Sequence, residues 1–365
     1  MTRVSARKSY IDWARGLAVL IMIEAHTIDA WTRAADRRSA SFGYLTILGG
    51  FAAPLFLWLA GLGVAMSAAR VQMRTGRRLT AVECACRRGL EIFVLAFLFR
   101  LQAFVVSPGS HPVTLFRVDV LNIMGPAMVV AGILWSMSNR PGARVLVYTV
   151  VAGFLAMVTP LVRAAAWVEQ LPTWIQWYLS PAGEYTTFTL LPWAGFVVAG
   201  AATGVIVGSA GDETHARRAP LMIGAAGVLV AAAGYAAAFQ PSIYNVPSSF
   251  WTSSPTWFAM RVGLMMTALA LLSAIPEREG WAFSWQRPLA TLGRASLFVY
   301  WIHVELVYGY ASWAWRLRLP VWASVLACIL FSILMYGVVL ARDRFVHGRP
   351  RRPVTFRNPA TLSRA

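Results

Sequence analysis

Apolar runs of about twenty residues recur along the whole of this chain, and a run of that length is what a helix needs to cross the hydrocarbon core of a bilayer. They predict an all-α, polytopic transmembrane helix bundle of about ten spanning helices, over residues 10–31, 44–69, 85–106, 119–137, 144–162, 186–209, 218–239, 256–275, 289–312 and 320–341. Composition agrees: 58% of the residues are hydrophobic and only 13% charged, too few charges to cover a soluble domain.

The formal net charge of +18 would suggest nucleic acid as a partner in a soluble chain. Here the arginines fall in short loops between apolar runs, which argues against nucleic acid and makes membrane lipid the partner. Clusters at Arg70, Arg74, Arg77, Arg78, Arg87 and Arg88, and again from Arg342 onward, place both termini in the cytoplasm by the positive-inside rule. The reading is a multi-pass protein of a bacterial inner (plasma) membrane. Arg3, Arg7 and Lys8 give the N-terminus a superficial likeness to a signal peptide, but Arg15 and Glu24 interrupt the apolar run and it is expected to stay as the first helix.

An integral-membrane domain is expected over 1–343, followed by a basic, proline-containing tail over 344–365 that is expected to be disordered. Residues 164–178 are too short and aromatic to span, and predict an interfacial helix or re-entrant loop. Gly200, Gly204 and Gly208 are spaced for a close-packing helix face. Cys84, Cys86 and Cys328 form no CxxC pair and read as structural.

The first span, DWARGLAVLIMIEAH from Asp12 to His26, is the exception among the apolar runs because it carries ionisable groups. Charges inside lipid are expensive unless paired or hydrated, so they are functional candidates by default. Arg15 and His26 are eleven residues apart, which returns them to nearly the same azimuth three turns on, about 16 Å along the axis. Val19 and Met22 lie between them, Asp12 and Asp29 lie close to the same stripe, and Glu24 falls on nearly the opposite face. A histidine there is a natural general base. It could equally be a buried imidazole bonded to a neighbouring helix.

The segment IDWARGLAVLIMIEAH resembles the opening helix of the membrane acyltransferase superfamily, roughly D-x-x-R-G, an apolar run, then H. Within it the chain is most similar to the heparan-α-glucosaminide N-acetyltransferase catalytic-domain family and its bacterial-type relatives. FAAPLFLWLAGLGVAMS at 51–67, FRVDVLNIMGPAM at 116–128, WTSSPTWFAMRVG at 251–263 and LGRASLFVYWIHVELVYG at 292–309 resemble further motifs in the family's order.

The resemblance implies an enzyme that moves an acyl group, usually acetyl from cytoplasmic acetyl-CoA, to a hydroxyl or amine of a glycan or lipid-linked sugar at the external face. It implies His26 as the catalytic histidine and Arg15 as a donor-side residue. Animal lysosomal members carry Asn at the position matching His26 and a histidine further along; here no histidine occurs between His26 and His111, which favours the pattern of bacterial carbohydrate O-acyltransferases.

Acyl transfer needs a base for the acceptor proton and a stabilised oxyanion, with direct transfer the favoured route over an acyl-histidine. Asp29, one turn past His26, could orient the ring as a triad carboxylate does, or sit hydrated at the helix end. Arg87 and Arg88 are candidates for CoA phosphates, or plain topology determinants. Arg100 is a further donor-side candidate, expected to pair with Glu24 or Glu91. Asp119 and Asn122 could bind acceptor hydroxyls or cap a helix. Arg261 and Arg294 match late family arginines and could be structural. His303, with Tyr300 and Glu305, could complete the cavity or form a core network.

Acetyl-CoA is expected as co-substrate. The five histidines show no metal-ligand spacing, so no metal is expected. A secondary transporter for a small anionic or polar solute, with His26 and Arg15 as a membrane-embedded relay, is the alternative. It would predict paired repeats with interrupted helices, which the sequence does not display.

Overall fold

The computed structural model describes residues 8–106, 111–209, 213–246, 248–276 and 285–347. Thirteen α-helices make up the described fold: α1 (Ser9–Trp31), α2 (Ala40–Gly49), α3 (Ala52–Thr75), α4 (Arg78–Val106), α5 (Val120–Trp135), α6 (Pro141–Arg163), α7 (Thr173–Leu179), α8 (Leu190–Gly208), α9 (Glu213–Ala238), α10 (Pro255–Ala274), α11 (Gln286–Arg294), α12 (Ser296–Tyr308) and α13 (Val321–His347). Helix falls in each of the ten expected places. Six stretches are long and apolar enough to cross a membrane: 40–75, α6, α8, 218–238 within α9, α10, and 321–346 within α13. The helices richest in ionisable residues, α1 and α4, fall outside that set, and α5 and α12 are shorter apolar helices.

Two expected spans are broken. The segment 44–69 divides at Gly50 and Phe51 into α2 and α3, and 289–312 divides at Ala295 into α11 and α12, ending at Tyr308. Neither break contains proline, so hydropathy alone passes over both. The 164–178 stretch forms only short pieces, a 3₁₀ turn at Ala166–Gln170 and then α7. Helix α13 continues through 344–347, where the tail was expected to begin; residues 348–365 lie outside the described ones.

Helix α1 occupies the middle, touching α2, α3, α10, α11, α12 and α13. Apolar side chains on α6, α9 and α13 point outward, among them Leu146, Phe154, Leu221, Leu229, Ile333 and Leu334, as a lipid-facing surface requires. One core joins α3, α5 and α8 around Trp58, Leu62 and Phe196, and a second joins α1 to α11, α12 and α13 around Met22, Val299 and Met335.

Small residues set the closest approaches. A Cβ on Gly200 would run into the Trp58 carbonyl and one on Gly204 into that of Leu62, so α8 lies backbone-against-backbone on α3. Gly16 and Gly293 do the same for α1 and α11, facing the carbonyls of Leu289 and Asp12. In lipid, where no hydrophobic drive brings helices together, such contact is what supplies van der Waals attraction. Gly200→Val should therefore lower stability in detergent by about 1–3 kcal/mol or more, as overpacking does. Gly153→Ala, whose Cβ meets nothing within 4 Å, should leave it unchanged or slightly higher; thermal unfolding of the two variants beside the parent checks both.

Candidate functional site

Along α1 the polar stripe opens onto a single large cavity of about 1260 Å³, walled by α1, α3, α4, α5 and α12. Toward the start of α1 it is lined by Arg15, Ser67, Cys84, Arg88 and Arg294, and toward the end of α1 by His26, Asp29, Arg100, Arg117, Asp119, Thr187, Trp193, Glu305, Tyr308 and Arg316. Met22 lines the interval between them, whereas Val19 is fully buried in the core toward α13. Glu24 faces the other way, with Oε2 against Gly49 and neither carboxylate oxygen hydrogen-bonded among the described residues.

His26 is held from α12. Its Nδ1 lies 2.7 Å from Nε2 of His303, and the two rings are nearly parallel at 5.0 Å between centroids. The other ring nitrogen of His303, Nδ1, lies 2.8 Å from the Val299 carbonyl oxygen one turn back on α12. His303 is fully buried, and Tyr300 flanks it with ring centroids 6.0 Å apart. With Nδ1 of His26 engaged, Nε2 is the nitrogen left for the cavity.

Asp29 does not orient this ring. Its Oδ1 pairs with Arg37 at 3.4 Å and its Oδ2 accepts from the Tyr308 hydroxyl at 3.3 Å, at an exposed position. The imidazole of His303 occupies the place that a triad carboxylate would take, because α12 rather than the next turn of α1 packs on that side.

Arg100 also has a different partner from the one expected. It forms an ion pair with Asp119 on the neighbouring helix, with both side chains largely buried at 15% and 12% exposure. Glu91 instead pairs with Arg87 at 3.3 Å and Arg88 at 3.1 Å. Of those two arginines only Arg88 lines the cavity; Arg87 is 84% exposed. Arg15 keeps Asp12 within 3.6 Å while lining the cavity.

Asp119 is a junction. Besides Arg100 it accepts from the Thr187 hydroxyl at 3.1 Å, and Thr187 accepts in turn from Arg117 at 2.9 Å. Its backbone N–H donates to Asn122 Oδ1 at 3.0 Å, so Asn122 closes the first turn of α5 and does not line the cavity. Asn122 also meets Tyr178 of α7: burial pushes that phenol above its ordinary value, and the hydrogen bond to Asn122 opposes the shift.

Arg261 stands behind the cavity wall. Its guanidinium donates to the Gly50 carbonyl and lies over the rings of Phe51 at 4.3 Å and Trp257 at 4.7 Å. It closes the break between α2 and α3, where an orphan carbonyl would otherwise remain. Arg294, by contrast, lines the cavity, and its neighbour Gly293 packs against Arg15.

The wall also contains residues not singled out from sequence: Thr187, Trp193, Tyr308 and Arg316. Tyr308 had a signal, since Leu297, Tyr300, Val304 and Tyr308 all line the cavity at three- and four-residue spacing on one helix face. Thr187, Trp193 and Arg316 come from loops and helix ends with no such periodicity. Among the described residues there is no group of three or more His, Cys, Asp or Glu arranged to hold a metal ion.

A family model described as heparan-alpha-glucosaminide N-acetyltransferase, catalytic, matches residues 7–244. That stretch includes Arg15, His26, Arg88, Arg100 and Asp119 and stops short of α12 with His303. No curated protein matches the chain.

The Arg100–Asp119 pair gives a direct test of the site's framework. Asp119→Asn should destabilise the protein by about 3–5 kcal/mol, because it leaves a buried guanidinium uncompensated. The double variant Arg100→Gln, Asp119→Asn should recover part of that loss. Thermal midpoints of the two singles and the double, combined as a mutant cycle, measure the coupling.

Proposed function

The chain belongs to the heparan-alpha-glucosaminide N-acetyltransferase catalytic family, and from that premise we propose that it moves an acetyl group from acetyl-CoA to a hydroxyl or amine of a sugar-containing acceptor, with His26 as the base. The observation that carries the reading is the continuity of one cavity from Arg15 to His26.

Arg15, Arg88 and Arg294 all line the end of the cavity toward the start of α1. Guanidinium groups bind phosphate oxygens bidentately, so this end suits the phosphates of CoA. The interval to His26, about 16 Å of helix rise, suits the pantetheine arm, which brings the thioester carbon to the imidazole. The density of arginine in the loops on the Arg15 side favours a cytoplasmic donor. Arg87, outside the cavity and paired with Glu91, has only the role of a surface charge.

At the far end the acceptor lies among Asp119, Thr187 and Trp193, where a carboxylate and a hydroxyl can orient sugar hydroxyls and an indole can cover an apolar sugar face. The acceptor oxygen or nitrogen gives its proton to Nε2 of His26 and attacks the thioester carbon. Tyr300 and Arg100 line the cavity, and a phenol and a guanidinium there can donate to the oxyanion as it forms. Collapse breaks the carbon–sulfur bond, and the CoA thiolate recovers the proton from His26. No external oxidant or net proton is required. Family membership does not favour the transporter alternative.

Acetyl-CoA binding and turnover by purified protein in detergent test the reading. His26→Ala should retain acetyl-CoA binding and lose turnover, by on the order of a hundred-fold or more, the usual share of general-base catalysis. Arg15→Gln should weaken binding about ten-fold, as loss of a charge-assisted hydrogen bond does, with turnover of the bound complex less affected. Full turnover by His26→Ala would overturn the assignment.

A further inference from the structure

We infer that His303 is a positioning residue that fixes the tautomer of His26 and then takes its Nδ1 proton during transfer, so that the two imidazoles share one positive charge. The inference rests on the reading of His26 as the base. It comes from the hydrogen-bond chain Val299 carbonyl, His303, His26, which can be ordered in only one way for neutral rings.

A carbonyl oxygen accepts and cannot donate, so Nδ1 of His303, at 2.8 Å from Val299 O, carries the hydrogen. A neutral imidazole has one N–H, and Nε2 of His303 is therefore a lone pair. At 2.7 Å from it, Nδ1 of His26 must be the donor. His26 is then left with a lone pair on Nε2, the nitrogen available to the cavity. The base is presented in its active form before any substrate arrives.

The second half of the inference concerns where the charge goes. When Nε2 of His26 accepts the acceptor's proton, an imidazolium forms in a low-dielectric interior with no carboxylate bonded to it, because Asp29 is engaged by Arg37 and Tyr308. Its Nδ1 proton faces a lone pair on an identical group at short range. Transfer to Nε2 of His303 leaves His26 neutral and puts the charge on a ring whose Nδ1–H is already held by a carbonyl, an acceptor that strengthens toward a cationic donor. Protons balance at each stage: the acceptor loses one to His26 Nε2, His26 Nδ1 passes one to His303 Nε2, and both steps reverse as the CoA thiolate takes the proton from Nε2.

The test has one arm without substrates and one with. Nitrogen NMR of the full-length, ¹⁵N-histidine-labelled protein in lipid bilayers, with His26→Ala identifying the His26 signals, should show Nδ1 protonated and Nε2 unprotonated on both rings. A His26 that carries its proton on Nε2 overturns the inference whatever the enzyme's activity.

In the second arm the probe is acetyl-CoA with water as acceptor, followed in single turnover. His303→Gln keeps a carbonyl able to accept from His26 but cannot take a proton. It should retain the His26 tautomer and acetyl-CoA affinity while slowing turnover on the order of a hundred-fold. The rate in mixtures of light and heavy water should be curved for the parent, from two protons in motion, and linear for His303→Gln. Wild-type rates in His303→Gln, or a linear dependence in the parent, overturn the proton-sharing role. Failure of the base assignment itself is seen separately, as turnover that survives His26→Ala.

Discussion

A polar side chain placed in lipid must find its partner within the protein, and that one requirement organises this fold. Helix α1 carries Asp12, Arg15, Glu24 and His26 into the middle of the bundle, and α2, α3, α10, α11, α12 and α13 are gathered against it. The partners it finds are of two kinds. Some are hydrogen-bonding groups on other helices, as with His26 and His303, and a large internal cavity opens to Arg15 and Asp29; Glu24 has neither, its carboxylate oxygens making no hydrogen bond among the described residues. A helix of this composition has no independent life in a bilayer. Its surroundings are a condition of its existence.

Two devices make those surroundings. Glycine faces bring α8 against α3 and α11 against α1 at backbone distance, which builds a rigid wall without large side chains filling the interior. Breaks at Gly50–Phe51 and at Ala295 then let α2 and α12 depart from the lines of α3 and α11. The breaks expose backbone groups, and one is met explicitly: the Arg261 guanidinium, sandwiched between Phe51 and Trp257, takes the Gly50 carbonyl. The result is a cavity whose two chemically distinct ends are held by the same central helix.

Much of this was legible because it is local. Apolar length placed the helices, the GxxxGxxxG spacing identified the α3-facing side of α8, and the eleven-residue interval put Arg15 and His26 on one cavity. The misreadings share a cause. Asp29 is offered as one of two readings beside His26, and Glu24 or Glu91 as partners for Arg100, because of nearness in sequence or helical register; the actual partners are His303, 277 residues away, and Asp119 on the next helix. Nothing in a single sequence encodes which of several buried imidazoles will face another. The helix breaks were hidden for a related reason: Gly50 and Ala295 sit inside stretches whose mean hydropathy suits a single span, and neither break contains a proline. Arg261 belongs to the same class, since a buried arginine stacked between aromatic rings reads, in sequence, just like one that lines a site.

The straightness of α1 has a consequence of its own. Three uninterrupted helical turns between Arg15 and His26 make the helix a ruler, with a fixed interval of about 16 Å between its two marks. No side-chain rearrangement changes that interval, because it is set by hydrogen bonds along the backbone and not by packing. Under the acetyl-CoA reading proposed above, a donor anchored at the first mark would be selected by the length of its arm as much as by the group it carries: a thioester on a truncated arm would stop short of the imidazole, and a longer carrier would have to coil to meet it. Molecules sharing nothing but that length and an anionic anchor would look alike to the site, so that discrimination among them would fall to the far wall, which Thr187 and Arg316 line from outside the helix that sets the scale.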